Sequence, residues 1–339
     1  MTGRLEAFSQ WLDIFSSRAH RKPDAETSSQ NLVQEGAVTF DIGRFSVALV
    51  VFGQDSQEIR TMLEKLAALD GGGMAIYLVQ NDTFAVLDEF ADRATVIRPG
   101  ANLGFAGGVN RAAAHARADG HDMMLVLNFD TQFLRKDLLL RLFEPFAMYS
   151  NCAFASPTIV YAGDSSLIWY RGGRTYRPAW VTRHPGINTS LPRTGSVTPT
   201  DFFSGCCALV DLEVFDALGG FWEHLFMYYE EADICYRAIA IGKRAYHVDL
   251  AMVAHAKRGR GFDELEAFQH ARNSRLLLAR HEHGAARLLG RLEEFLVAPF
   301  QLRRCNGAAA RIAYLEGLFG FEHVDITPWI ENRSPSASG

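Results

Sequence analysis

Cysteine is scarce in the chain, and the five present, Cys152, Cys206, Cys207, Cys235 and Cys305, are odd in number and include no Cys-x-x-Cys spacing. That speaks against a disulfide framework and makes a reducing cytoplasm the expected home. No apolar run approaches the roughly 20 residues of a membrane-spanning helix, and the first residues lack the basic start and apolar segment of a secretory signal. Positive charge is not in excess either. The formal net charge is −5, so nothing electrostatic points to nucleic acid as a partner. Two glycine signatures are also missing. The cluster "GANLGFAGGVN", residues 100–110, does not supply Gly-x-Gly-x-x-Gly in register after a first strand, and no Gly-Lys-Ser/Thr follows it. The dinucleotide and P-loop folds are set aside on those grounds.

What is present is a soluble-type composition, 48% hydrophobic and 22% charged over 339 residues, enough to bury a large core. From residue 46 onward short apolar runs alternate with helical patterns. "SVALVVFG", "MAIYLVQND", "RATVIRPG" and "DMMLVLNFD" read as strands, while "SQEIRTMLEKLAAL", entered through Asp55 or Ser56, and "FAGGVNRAAAHARAD" read as helices. This order specifies an α/β fold, a mostly parallel sheet with helices on both faces. Ligands of such sheets bind beyond the C-terminal strand ends, where Asn81, Asp82, Asn128 and Asp130 emerge.

Three features carry chemistry. The glycine cluster runs into a helix, so its backbone amides and the helix dipole are suited to a phosphate; tight helix-to-sheet packing explains the same glycines. Glu230, Glu231 and Asp233 crowd a helix start beside Tyr228 and Tyr229, more acid than dipole capping needs. His255 closes the apolar run "LAMVAH" ahead of a basic loop with Lys257, Arg258 and Arg260.

In order along the chain, "VQN", "NLGFAGGVN", "LNFDT", "GGFWEHLFMYYEEADICYR" and "VAH" resemble the motif series of the inverting glycosyltransferases of family 2, of the bacterial rhamnosyltransferase and galactofuranosyltransferase type. The resemblance spans about residues 45–283, and five ordered matches are far more specific than any one of them. It implies a GT-A fold, a nucleotide-diphosphate sugar donor such as a dTDP- or UDP-sugar, a saccharide or lipid-linked saccharide acceptor, and a divalent metal, Mg²⁺ or Mn²⁺. By register, Asp130 and His255 would hold the metal, with Asn128 as first member of a shortened Asp-x-Asp motif. Phe52, Gln80, Asn81, Asn102, Gly104, Phe105, Gly107 and Asn110 would border the donor. Glu231 falls where the family carries its general base, with Glu230 as the neighbour able to take that role, and Arg258 or Arg272 would add charge to the leaving group. Several positions depart from the family: Gln80 for a base-facing Asp, Phe129 for Pro, Trp222 for Asp, and Glu231 for Asp. A catalytically idle nucleotide-sugar-binding relative is therefore kept as an alternative. A sugar nucleotidyltransferase is another, although "VVFGQDSQE" lacks the early glycine-rich signature it needs.

The chain divides into an N-terminal segment, 1–40, a catalytic domain, 41–262, a helical region, 263–330, and a tail, 331–339. Phe8, Trp11, Leu12 and Phe15 form an aromatic helical stripe in the first segment that needs a partner: the body of the protein, a second subunit or a membrane surface. Arg287, Arg291, Arg303 and Arg304 flank a second amphipathic pattern carrying Leu288, Leu289, Leu292, Phe295 and Leu296. Packing onto the catalytic domain is the favoured reading, with peripheral association at the inner membrane face or a homodimer contact as the others.

Overall fold

The computed structural model describes residues 41–69, 73–82, 87–190, 195–256 and 261–320. The N-terminal stripe, the basic loop with Arg258 and the tail lie outside these residues. The first half alternates as expected: β1 (Phe45–Val51), α1 (Ser56–Ala67), β2 (Ala75–Gln80), β3 (Thr95–Ile97), α2 (Gly104–Ala118) and β4 (Met123–Leu127). Asp55 caps α1, closing a capping box with Glu58. There follow β5 (Thr131–Phe133), α3 (Leu138–Met148), β6 (Cys152–Tyr161), β7 (Asp164–Tyr170), β8 (Arg174–Tyr176), β9 (Val181–Arg183), β10 (Val197–Thr200) and β11 (Cys207–Asp211). The remainder is α4 (Leu212–Ala217), α5 (Glu230–Ala240), β12 (Arg244–His255), α6 (Glu264–His281), α7 (Gly284–Leu302) and α8 (Gly307–Phe319).

One large sheet runs β10-β12-β6-β11-β4-β1-β2-β3, with β5 beside β12 and β7 beside β6. The four strands read from the sequence form its parallel half, β4-β1-β2-β3. Beyond β4 the sheet is mixed. β11 runs antiparallel to both β4 and β6, while β6 and β12 are parallel to each other. Only the β6–β7 pairing has a local cause: β6 returns into β7 through a tight turn at Ala162 and Gly163, too short for a crossover helix. Phe45, Val47, Ala48, Leu49 and Val51 of β1 are all buried, the near-continuous burial of a strand covered on both faces.

Two consequences of this topology position the site. Because β11 is antiparallel to β4, its first residue, Cys207, lies opposite the last residue of β4, Leu127, so the preceding stretch Ser204, Gly205, Cys206 sits at the strand tips. β12 is long enough to cross the sheet, with a register shift between Val248 and Met252, and its end pairs with β5, His255 opposite Thr131.

The C-terminal helices belong to two cores. Leu277 and Leu278 of α6 enter the main one, while Ala267 and Ala271 of the same helix join Ala298, Ala310, Tyr314 and Leu318 in a second. A charged cluster ties α6 to α5. Asp233, fully buried, accepts from Arg237 Nε at 2.8 Å and from His281 Nε2 at 2.7 Å. Burial pushes the Asp233 carboxyl up, but the His281 hydrogen bond and the charges of Arg237 and Arg280 outweigh it and hold it below its ordinary value. Asp233→Ala therefore leaves buried cations without a counter-charge and should cost about 3–5 kcal/mol in urea unfolding. A depressed folded pKa also means that this contribution is complete above the ordinary carboxylate range and fades as pH falls through it, so the cost of the substitution should shrink in acid; an equal cost at pH 7 and pH 3 would contradict the assignment.

Candidate active site

Asp130 follows β4 by three residues and precedes β5 by one, which turns its side chain out at the sheet edge. The Asn128 amide N–H donates to the Cys206 carbonyl at 3.0 Å, and the Asn128 carbonyl accepts from the Thr131 amide at 3.2 Å, closing a tight turn around Phe129 and Asp130. Pairing of β5 with β12 then brings His255 alongside. His255 Nε2 lies 2.9 Å from Asp130 Oδ2, with the imidazole 11% and the carboxylate 45% exposed. His255 Nδ1 is buried and has no hydrogen-bond partner. The two predicted metal residues, 125 positions apart in sequence, therefore share one spot. Among the described residues no third His, Cys, Asp or Glu joins them. One carboxylate oxygen and one imidazole, open to solvent on the Asp130 side, fit a hard divalent ion that draws its remaining oxygens from a diphosphate and water rather than from a protein cage.

Glu231 reaches the same lip from the opposite direction. Its Oε1 accepts from the Gly205 amide at 2.7 Å. Gly205 is small for that reason: a Cβ there would stand 2.6 Å from Glu231 Oε1 and 2.9 Å from the Phe105 ring. Neighbouring Cys206 bonds Asn128 and, through its carbonyl, Thr131 Oγ1 at 3.2 Å, so one dipeptide touches both halves of the site. The acidic pair is unequal. Glu230 is 3% exposed, its Oε2 lacks a partner, and burial together with the charge on Glu231 pushes its carboxyl well up. Glu231 is half-buried; burial raises its pKa while the Gly205 amide opposes the rise. Burial thus disfavours the charged form more strongly at Glu230 than at Glu231, whose charge the Gly205 amide supports.

Three amides of the glycine-rich segment have partners within the fold: Gly104 N–H donates to Asn102 Oδ1 at 2.9 Å, Ala106 N–H to the Phe226 carbonyl at 3.0 Å, and Leu103 N–H lies 3.5 Å from Asn81 Oδ1. Asn81, buried, also donates from Nδ2 to the Gly104 carbonyl at 2.7 Å. Asn110 clamps the glycine turn ahead of Trp222, donating to the Phe221 carbonyl at 2.9 Å and accepting from its amide at 2.8 Å. Gly107 is packed on Leu103. Asn81, Asn102, Gly104, Gly107 and Asn110 are thus occupied in holding α2 against its surroundings. Packing, the plainer explanation of these glycines, is the one the geometry bears out.

Phe52 is exposed and Gln80 half-buried at the tips of β1 and β2, at the sheet's C-terminal edge. Phe105 is half-buried and faces Phe221. Arg272 Nη1 donates to the His224 carbonyl at 3.0 Å and to Asn273 Oδ1 at 2.9 Å, and burial pushes its guanidinium pKa down.

One aromatic residue escaped the sequence reading. The ring of Trp169, half-buried on β7, lies 4.7 Å from the His255 ring and 5.0 Å from His184. Trp169 thus stands beside the His255–Asp130 pair, brought there only by the β6–β7 hairpin. No local motif announces it.

A mixed sheet with an Asn-x-Asp tip on its fourth strand, a facing histidine and an acidic helix start define the GT-A class of α/β fold. Solved structures with this fold include a mannosyltransferase from Pyrobaculum calidifontis in complex with GDP-Man and Mn²⁺, at a TM-score of 0.51 and 14% identity over 84% of this chain and 78% of that one. GalNAc-T7 with UDP, GalNAc and Mn²⁺ gives a TM-score of 0.58 and 13% identity over 86% of this chain and 56% of that one. The chain belongs to glycosyl transferase family 2, whose family model matches residues 46–219, just over half of its length. A curated relative, the low-salt glycan biosynthesis hexosyltransferase Agl10 of Haloferax volcanii, is 24% identical over 195 residues, 56% of this chain and 60% of the relative. The matched region thus spans less than two thirds of that relative.

Gly104 gives the sharpest test of the packing role. Its φ of +68° is left-handed, and a Cβ would collide with the Phe226 carbonyl oxygen. Gly104→Ala should lower stability by about 1–3 kcal/mol in urea unfolding, and an unchanged midpoint would show that the loop gives way freely.

Proposed function

We propose that the chain is an inverting hexosyltransferase that moves a sugar from a nucleotide-diphosphate donor to a hydroxyl of a saccharide or lipid-linked saccharide acceptor. The observation that carries this reading is the meeting of Asp130, His255 and Glu231 around Gly205 and Cys206. Glu231 accepts the proton of the acceptor hydroxyl as that oxygen attacks the anomeric carbon. The bond to the diphosphate breaks on the opposite face, and the configuration inverts. Asp130 and His255 would hold Mg²⁺ or Mn²⁺, which when bound neutralises the charge left on the diphosphate. Gln80, at the tip of β2, offers an amide suited to the imide edge of uracil or thymine, which favours UDP- or dTDP-sugars; the rhamnosyl-type resemblance supports the latter.

Glu231→Gln removes the proton acceptor and keeps the volume, so nucleoside diphosphate release in the presence of acceptor should fall about 10²–10⁴-fold at constant donor affinity. Glu230→Gln, which changes the enclosed carboxyl rather than the one bonded to Gly205, should leave turnover nearly intact; the reverse pattern would exchange the roles. Because the Glu231 pKa is raised by burial, turnover should climb with pH through a value above that of an ordinary carboxylate. Asp130→Asn should abolish Mn²⁺-dependent binding of UDP or dTDP in calorimetry without unfolding the chain, and unchanged affinity would remove Asp130 from the metal site.

For the lipid-linked form of the acceptor, the support lies in α7. Gly290, Val297 and Ala298 pack inward, but Leu288, Leu289, Leu292, Phe295 and Leu296 are 44–65% exposed on the other side, so packing on the body accounts for only half of its apolar surface. Arg287 and Arg303 stand exposed on the same helix and at its end. No helix among the described residues is long and apolar enough to cross a membrane. Such a surface suits an anionic bilayer. The protein should co-sediment with phosphatidylglycerol vesicles and lose that binding on Leu292→Glu with Phe295→Glu; equal sedimentation of the variant would refute it.

A further inference from the structure

We infer that Asn273, on α6, is a positioning residue that sets where α5 begins and thereby which of the two adjacent glutamates faces Gly205. The inference rests on the reading of Glu231 as base. The segment leading into α5 has an unusual backbone: Phe226, Tyr228 and Tyr229 have φ of 63°, 68° and 75°, left-handed values that non-glycine residues rarely adopt. Such a turn persists only where its surroundings over-determine it. Tyr229 is the N-cap of α5 but makes no side-chain capping bond, so the helix start is not fixed by its own cap.

Asn273 supplies what the cap does not. It is fully buried, and its amide nitrogen donates to the carbonyls of Leu225 at 2.9 Å, Met227 at 2.8 Å and Tyr228 at 2.8 Å. Two hydrogens are shared among three acceptors, and the orientation of the amide is set by its oxygen, which accepts from Arg272 Nη1 at 2.9 Å. That same nitrogen reaches the His224 carbonyl, so two consecutive residues of α6 gather four carbonyls of one turn. From the other side the Phe226 carbonyl accepts from Ala106 of α2. The turn is thus gripped between two helices.

The grip matters because Glu230 and Glu231 open the helix immediately after it. Residues adjacent on a helix project about 100° apart, so a start displaced by one residue would turn Glu231 away from Gly205 and bring Glu230 toward it. By bonding the Tyr228 carbonyl, one residue before the cap, Asn273 fixes that phase. No other residue type fits: aspartate presents oxygens to carbonyl oxygens, and leucine has no donor to offer.

The test uses the full chain, with Asn273→Ala and Asn273→Asp, each alone and in a Glu231→Gln background. Hydrogen exchange of the peptide 222–235 should quicken by about tenfold or more in both single variants, while β1 and β4 keep their protection. Nucleoside diphosphate release, measured with Mn²⁺ and a panel of UDP-, dTDP- and GDP-sugars, should fall about 10–10²-fold in kcat with donor KM unchanged. Added to Glu231→Gln, neither change should slow release further, since a residue acting through Glu231 has nothing left to position. Unaltered exchange at 222–235 overturns the inference, as does a loss confined to KM or to global stability, or a multiplied loss in the double variants. Glu231→Gln turning over like the wild type overturns instead the assignment of the base, and the exchange measurement then decides on its own whether Asn273 holds the turn.

Discussion

The dipeptide of Gly205 and Cys206 is the constraint on which the site depends. Its backbone lies at the tip of β11, which antiparallel pairing sets against the end of β4. From there one amide binds Glu231 and one carbonyl binds the Asn128 turn that presents Asp130. A carboxylate that accepts protons and a carboxylate that binds a cation repel each other, so they need separate supports that fix their spacing. The strand tip provides this without either group sharing a donor. Burial adds a second control: it pushes the enclosed Glu230 carboxyl well up, which disfavours a further negative charge beside Glu231.

The helices around this centre act mainly through their ends. The glycines at the start of α2 let the Phe226 carbonyl approach closely, α6 grips the same turn from the other side, and Asp233 locks α5 to His281. The C-terminal helix α6 therefore shares hydrogen bonds and an ion pair with the segment that presents Glu231. Residue 262 marks a change of secondary structure but not of core, since α6 enters both hydrophobic clusters. The left-handed turn ahead of α5 is held by residues far from the strand tips.

Much of this was legible in the residues. Strand and helix alternation over the first half follows from period and capping, and Asp130, His255 and Glu231 stand out because each breaks an apolar run or crowds a helix start. Their assembly was not legible from pattern alone: that β11 runs antiparallel, or that β12 is long enough to reach Asp130, is decided by long-range pairing. The loop at residues 100–110 reads two ways for a related reason. Glycine reports that something comes close, and only the fold tells whether the visitor is a phosphate or, as here, the carbonyl of Phe226. Trp169 and Asn273 carry no local signature at all, since each matters through a partner more than 40 residues away.

The central claim is that Asp130 and His255 form a half-site, completed by the diphosphate of the donor. Electron paramagnetic resonance of Mn²⁺ with the purified protein addresses it directly, because bound and free ion give different signals. The account predicts that protein alone leaves most of the Mn²⁺ free, and that adding UDP or dTDP, but not uridine or thymidine, removes the free signal in the wild type and not in Asp130→Asn. Tight Mn²⁺ binding without nucleotide, or nucleotide binding indifferent to Mn²⁺, would contradict it.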